Sequence, residues 1–237
     1  MAINVLITGN SSGLGLGLAE VALARDWHVY GLSRRGCPVE HERLSDEPCD
    51  LARSGDIPAA LARLLAGVTH LDMVILNAGV FGQLHKLAEI SEDEYQHVMQ
   101  VNVWANKIIL DWLFSQGIET RQVIAISSGA ALSANVGWGS YSISKIALNK
   151  LMALYANEFP QTHFSALAPG LVDTAMQDYL CDEDLHSLEA FPLLKRFRDA
   201  RGTEVMPSGE IAAEAILSVT DQLMQMENGC YVDIRSL

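Results

Sequence analysis

Tyr141 and Lys145 stand four residues apart in the stretch GWGSYSISK, Gly137 to Lys145. On a helix that spacing brings the chain back to nearly the same face, so a phenol and an ammonium would lie one above the other. A cation near a phenol favours the phenolate, which makes proton transfer available. Two solvated side chains on a helix surface would show the same spacing, because YxxxK arises easily by chance. Thirteen residues before the tyrosine, Ser128 follows the apolar run QVIAIS. A hydroxyl just past a strand end can project into a cleft rather than into the sheet. Beside Gly129 it could instead stabilise a turn.

A second chemistry is written near the start of the chain. The apolar run Ile3 to Ile7 leads into TGNSSGLGLG, whose cradle comprises Gly9, Ser11, Ser12, Gly13, Leu14 and Gly15. Gly9, Gly13 and Gly15 permit a tight turn and close approach of a phosphate, before a helix beginning near Leu14 turns its unpaired N–H groups toward that anion. Nucleotide binding is the favoured reading, because the loop lies between a buried strand and an amphipathic helix. At the end of the second strand an acidic side chain would accept from the 2′-hydroxyl of NAD, whereas a cation accommodates the extra phosphate of NADP. Ser33, Arg34 and Arg35 stand there, with no carboxylate from Gly31 to Gly36. NADP(H) is therefore expected over NAD(H), unless both arginines are only solvated surface charges.

These residues need elements to hold them. Apolar runs recur at Ile3 to Ile7, His28 to Leu32, Asp72 to Leu76, Gln122 to Ile126 and His163 to Leu167, with helix-like stretches between most of them. Such alternation predicts a parallel sheet covered on both faces. A last strand is expected from Cys230 to Ile234, after a helix capped by Ser208 with Glu210 and Glu214 near its positive end. Ser33 to Asp50 leaves little room for a crossover helix before a strand near Arg43 to Cys49. Gln177 to Pro207 mixes acidic, aromatic and basic residues, and reads as a helical flap over a pocket or as a surface insertion.

Composition narrows the possibilities. The 237 residues suit one α/β domain, and 49% hydrophobic with 19% charged residues describes a globular protein. A net charge of −13 and no basic stripe argue against nucleic acid or an anionic membrane as partner. No secretory signal or membrane-length apolar run is evident, so a cytoplasmic location is expected. Cys37, Cys49, Cys181 and Cys230 lack CxxC spacing and no HExxH is present, so structural thiols are expected and a protein-built metal site is not.

In order along nearly the whole chain, TGNSSGLG, Asp50, NAG at 77 to 79, Asn102, Ser128, Tyr141 with Lys145, and PG at 169 to 170 resemble the short-chain dehydrogenase/reductase family. The resemblance implies a single doubly wound Rossmann domain spanning residues 1–237, α/β in class, with a mainly parallel seven-stranded sheet and helices on both faces. It also implies hydride transfer between nicotinamide and a small carbonyl or alcohol substrate. Carried over, Tyr141 is the proton donor, Ser128 polarises the carbonyl, Lys145 holds the ribose and Asn102 supports a water relay. Asp50, with Leu51, resembles the adenine contact, an exposed loop carboxylate being the alternative. Asn77, Ala78 and Gly79 would line the adenosine side. Pro169 and Gly170 open a loop resembling the one that meets the carboxamide, with Val172 and Thr174 as contacts, unless this is only a strand-ending turn. A tyrosine titrates near pH ~10. It therefore suits the acid role, and Lys145 with the oxidised ring would help it act as a base, a shift of about three units being worth roughly 4 kcal/mol.

The finer resemblance is to the sepiapterin reductase and benzil reductase branch, through GW at 137 to 138 and the stretch from Pro169 to Gln177. Trp138 would form an aromatic wall, if it is not simply a packing residue, and Asp233 matches the branch's substrate-holding aspartate, if it is not the polar end of an edge strand. An NADPH-dependent carbonyl reductase is the expected activity. An alcohol dehydrogenase working in oxidation, or a dinucleotide-binding sensor without turnover, are the alternatives. The family resemblance further implies a homodimer or homotetramer packed through Glu94 to Phe114 and Ser140 to Asn157.

Overall fold

A computed structural model describes residues 3–237. Seven strands form one sheet: β1 (Asn4–Thr8), β2 (His28–Ser33), β3 (Leu44–Pro48), β4 (His70–Leu76), β5 (Glu119–Ile126), β6 (His163–Ala168) and β7 (Cys230–Asp233). Their order is β3-β2-β1-β4-β5-β6-β7, and every pairing is parallel. The helices that position the site are α1 (Gly13–Ala24), α2 (Ile57–Leu64), α3 (Glu92–Met99), α4 (Ala105–Ser115), α5 (Gly139–Glu158), α6 (Ala175–Cys181), α7 (Leu194–Ala200) and α8 (Gly209–Ser218). The apolar runs predict a parallel sheet covered on both faces, and the family resemblance implies its doubly wound Rossmann form; both are present.

The strand alternation explains why those runs are continuous. Leu6 of β1 joins a core with α2, α4 and α5 through Leu61, Ile109 and Leu148. Its neighbours Val5 and Ile7 face the opposite core, shared with Leu18 of α1 and Ile216 of α8. Both faces are covered, so Val5, Leu6 and Ile7 are all apolar, and the polar residues of the strand fall at its two ends. From β1 the chain builds outward through β2 and β3, then returns to β1 and builds the other way through β4. The carboxyl ends of β1 and β4 therefore diverge around a crevice, where ligands bind in such sheets.

The weakest part of the sequence pattern proves to be the edge. No helix crosses from β2 to β3, and residues 34–43 make the connection as a loop. β3 is short and polar, and ends on Pro48, a residue that an edge strand tolerates. Asp46 fastens this edge to the middle of the sheet: its carboxylate accepts from Asn10 Nδ2 at 2.6 Å and from the Cys37 amide at 2.9 Å. A side chain at Gly31 would overlap both Asn10 and Asp46, so the strand beneath must be glycine there.

Ser208 caps α8 as expected, accepting from the Ile211 amide at 3.3 Å, and Glu214 pairs with Arg25 of α1 at 2.5 Å. α1 and α8 pack almost backbone to backbone, since a methyl on Gly17 would overlap the Gly209 carbonyl. The start of α1 is thereby fixed from behind.

Candidate active site

A cavity of about 730 Å³ opens at the carboxyl ends of the strands. At one end the loop after β1 supplies Gly9, Ser11, Ser12, Gly13, Leu14 and Gly15. Gly9 has φ +73°, in the left-handed region that favours glycine, and a methyl on Gly15 would overlap the Gly9 carbonyl and the Asn77 side chain. Asn77 holds this turn in place, donating from Nδ2 to the Thr8 carbonyl at 2.9 Å. Thr8 in turn accepts at Oγ1 from the Asn77 and Ala78 amides, each at 3.0 Å. No side chain caps the first turn of α1. Its N–H groups and positive dipole end are thus free to meet an anion.

The remaining sequence-derived contacts surround that loop. Ser33, Arg34 and Arg35 line the cavity from the end of β2, and Arg35 Nη2 donates to Ser12 Oγ at 3.2 Å. The Ser33 hydroxyl is buried and has no protein partner. Asp50 and Leu51 line the same end, with Asn77, Ala78 and Gly79 from the turn after β4. Pro169, Gly170, Val172 and Thr174 line it from the turn after β6, and Thr174 packs against Gly13. The glycine cradle, the uncapped helix and the unpartnered hydroxyl suit a dinucleotide, whose phosphates and ribose hydroxyls would supply the missing partners.

Ser128, Tyr141 and Lys145 line the cavity farther along. Ser128 stands two residues past the end of β5 in extended conformation, and its Oγ accepts from the Ala130 amide at 3.1 Å. The turn-stabilising and cleft-facing roles expected of it therefore coexist. Tyr141 and Lys145 fall in the first two turns of α5, and the ammonium lies 5.5 Å from the phenol ring centre. Lys145 is buried and donates to the Ile126 carbonyl at 2.7 Å.

In the free protein, burial sets the electrostatics of this pair. Burial pushes the Tyr141 phenol up to about 12, with a Ser128 side-chain contact working weakly the other way. Burial also lowers Lys145 to about 8. Desolvation disfavours phenolate and ammonium alike, and it is the leading cause of both shifts.

Asn102 and Asp233 do not line the cavity. Asn102 is fully buried in a π turn, Gln100–Trp104, between α3 and α4. Its Oδ1 accepts from the Val80 amide at 2.8 Å, and its Nδ2 donates to the Val80 carbonyl and to Ser144 Oγ, both at 2.9 Å. Ser144 Oγ donates on to the Tyr141 carbonyl at 2.7 Å. Asn102 thus ties the turn after β4 to the helix that carries the tyrosine. The single extra residue of a π turn redirects a side chain without a sequence mark, which is why this placement was not legible beforehand. Asp233, expected as a substrate contact, is instead occupied by Arg235, whose Nε donates to Oδ1 at 2.8 Å and Nη2 to Oδ2 at 2.5 Å. This pairing holds the Asp233 carboxyl below its ordinary range. Arg235, not Asp233, reaches the cavity wall.

Sequence reasoning also passed over the residues of the opposite wall. The stretch read as a flap or an insertion folds over the cavity and contributes Gln177, Leu180, Leu193, Arg196 and Phe197. Leu180 and Leu194 pack with Phe81, Leu84 and Trp138 as a small separate core. Trp138 is both packing residue and wall: its ring lies edge-on to Phe81 at 5.4 Å and 5.6 Å from Phe197. Tyr141 packs against the same Phe81, with ring centres 5.2 Å apart. Arg201 pairs with Asp178 and Asp173, and Tyr179 Oη accepts from the Leu84 amide at 3.0 Å, fastening the cover at both its helices. The apolar spacing of Met176 and Leu180 with Phe197 is the signal that could have marked this wall.

The family model described as short chain dehydrogenase matches residues 3–184. The chain belongs to the short-chain dehydrogenase/reductase family, whose members are oxidoreductases acting on CH–OH and C=O groups with a nicotinamide dinucleotide. It is 30% identical to "Benzil reductase ((S)-benzoin forming)" of Bacillus subtilis (strain 168), over 97% of each chain. It is 25% identical to "Benzil reductase ((S)-benzoin forming) IRC24" of Saccharomyces cerevisiae, over 73% of each chain. Among solved structures, the KRED1-Pglu enzyme superposes with a TM-score of 0.82 at 25% identity, covering 98% of this chain and 100% of the other. The chain therefore stands near the benzil reductase branch of its family.

Proposed function

We propose that this protein is an NADPH-dependent reductase of ketones or aldehydes in which Tyr141 gives the proton. One observation carries the reading: the Tyr141 phenol, the Ser128 hydroxyl and the buried Lys145 share one cavity with an uncapped, glycine-rich helix start. When bound, the dinucleotide supplies the hydride. Ser128 and Tyr141 hold the carbonyl oxygen and stabilise the negative charge that grows on it, and the Tyr141 hydroxyl passes its proton to that oxygen. A phenol kept neutral up to about pH 12 is a donor at every physiological pH. Lys145 holds the ribose with the ammonium that Ile126 orients. Asn102 keeps the turn after β4 and the tyrosine helix in register and supports a water relay to the lysine.

The preference for NADPH is supported by Arg34 and Arg35 on the cavity wall and by the lack of a carboxylate from Gly31 to Gly36. Asp50 would meet the adenine, Val172 and Thr174 the carboxamide, and Trp138 an apolar or aromatic substrate. The four cysteines are unpaired, the state a reducing compartment maintains, which supports a cytoplasmic location. Exposed Trp104, Ile143, Ile146 and Leu154 on the α4 and α5 side support a homodimer or homotetramer, which sedimentation would read directly.

NADPH oxidation followed at ~340 nm across aromatic diketones, quinones and aldehydes tests the reading. Turnover is expected, and Tyr141→Phe should lower kcat by about 10²–10⁴-fold while leaving NADPH binding within about threefold. Cofactor binding without consumption by any carbonyl in that panel would replace the enzyme with a sensor. Tighter binding of NADH than NADPH would overturn the phosphate assignment.

A further inference from the structure

The two arginines after β2 stand on a segment that has no helix to hold it. Arg34 and Arg35 belong to the loop of residues 34–43, and both line the cavity. Farther along the loop, Cys37 and Val39 pack against the core that α1 shares. Two hydrogen bonds fasten the arginine turn itself. Arg35 Nη2 donates to Ser12 Oγ at 3.2 Å, and the Cys37 amide donates to Asp46 Oδ2 at 2.9 Å. The other oxygen of that carboxylate, Oδ1, accepts from Asn10 Nδ2 at 2.6 Å. Asn10 is fully buried and stands in the glycine loop, two residues before Ser12.

These contacts close a ring. It runs from Asp46 to Asn10, along the glycine loop to Ser12, across to Arg35, and back through Gly36 and Cys37 to Asp46. Gly36 has φ +78°, and a methyl there would stand 3.1 Å from Asp46 Oδ2, so the chain turns directly against the carboxylate. Neither Asp46 nor Asn10 lines the cavity, so any effect on a dinucleotide passes through the arginines and the loop.

A guanidinium is a planar fork whose bonds to phosphate depend on where its backbone is held, and binding groups need support from the residues behind them. A dinucleotide carrying a 2′-phosphate presents two anionic groups at a fixed separation. The start of α1 suits the pyrophosphate, and the arginine turn suits the other. We propose that Asp46 is a positioning residue for cofactor choice, holding the arginine turn at the distance from the glycine loop at which both groups are met at once. The inference rests on the NADPH reading and deepens it. By its charge alone Asp46 would disfavour an added phosphate, so position and charge predict opposite effects when that charge is removed.

The experiment titrates NADP⁺ and NAD⁺, which differ only in the 2′-phosphate, into the full chain by calorimetry. Asp46→Asn keeps the size of the side chain but offers one oxygen and one N–H group where two donors converge, so one link of the ring opens. It should weaken NADP⁺ by about five- to tenfold and NAD⁺ by less than about twofold. In a chain that also carries Arg34→Gln and Arg35→Gln, the same substitution should change NADP⁺ by less than about twofold, because no arginine remains to be positioned. Asn10→Ala opens the ring from the other side and carries the same expectation should Asp46→Asn fail to fold. Equal weakening of the two cofactors, no weakening of either, tighter NADP⁺, or an undiminished loss without the arginines would each overturn the assignment and leave the NADPH preference standing. A wild type that binds NAD⁺ more tightly than NADP⁺ would remove that preference and this inference with it.

Discussion

The two walls of the cavity are built by different means. The glycine-loop wall is made largely of backbone: the ends of β1, β2, β4 and β6, the start of a helix, and the side chains of Thr8 and Asn77, which bond to the turns. The covering wall is made of side chains, with Leu180, Phe197 and Trp138 packed ring to chain over short helices. Backbone walls cannot adjust without moving the sheet, whereas a side-chain wall can exchange one apolar group for another of similar volume. The first suits a ligand that is always the same. The second suits a recognition surface that differs among related enzymes.

That contrast is most sharply tested at Gly15. Gly15→Ala should bring a methyl into the Gly9 carbonyl and the Asn77 amide, destabilising the fold by about 1–3 kcal/mol and abolishing measurable dinucleotide binding. Thermal melting and a binding titration read both, and a variant that binds normally would mean the loop is less rigid than its packing shows. A charge change at the rim of the same wall should be milder. Arg35→Gln is expected to weaken NADPH by about 10-fold and leave NADH nearly unaffected, since one charged hydrogen bond to phosphate is worth about 1.5–3 kcal/mol and an exposed arginine realises the lower end. Equal weakening of the two cofactors would show that the arginine acts through Ser12 instead of the phosphate. The smallest effect belongs to the covering wall. Phe197→Ala should raise KM for an aromatic ketone by about two- to tenfold, with NADPH affinity unchanged, because it removes one ring contact with Trp138. A larger loss of cofactor binding than of substrate binding would erase the distinction between the walls.

Legibility followed the same division. The strand runs, the glycine loop, the arginines after β2 and the tyrosine–lysine spacing are local patterns, and the last three fall on the cavity. Ser208 as a helix cap and the missing crossover before β3 were legible for the same reason, since both depend on a few adjacent residues. Asn102 was identified by type, but its bridging position depends on a π turn with no sequence signature. The pairing of Asp233 with Arg235, two residues on, was not legible, because only the turn after β7 brings the guanidinium back over the carboxylate.

By itself the sequence determined the order of layers, because burial on both faces of a parallel sheet imposes continuous apolar runs, and it determined which residues could do chemistry. Tertiary structure alone decided how those residues behave. Desolvation raises the phenol and lowers the lysine, because both are enclosed. Enclosure is a property of chain segments that meet from opposite ends of the sequence, so no local spacing can encode it.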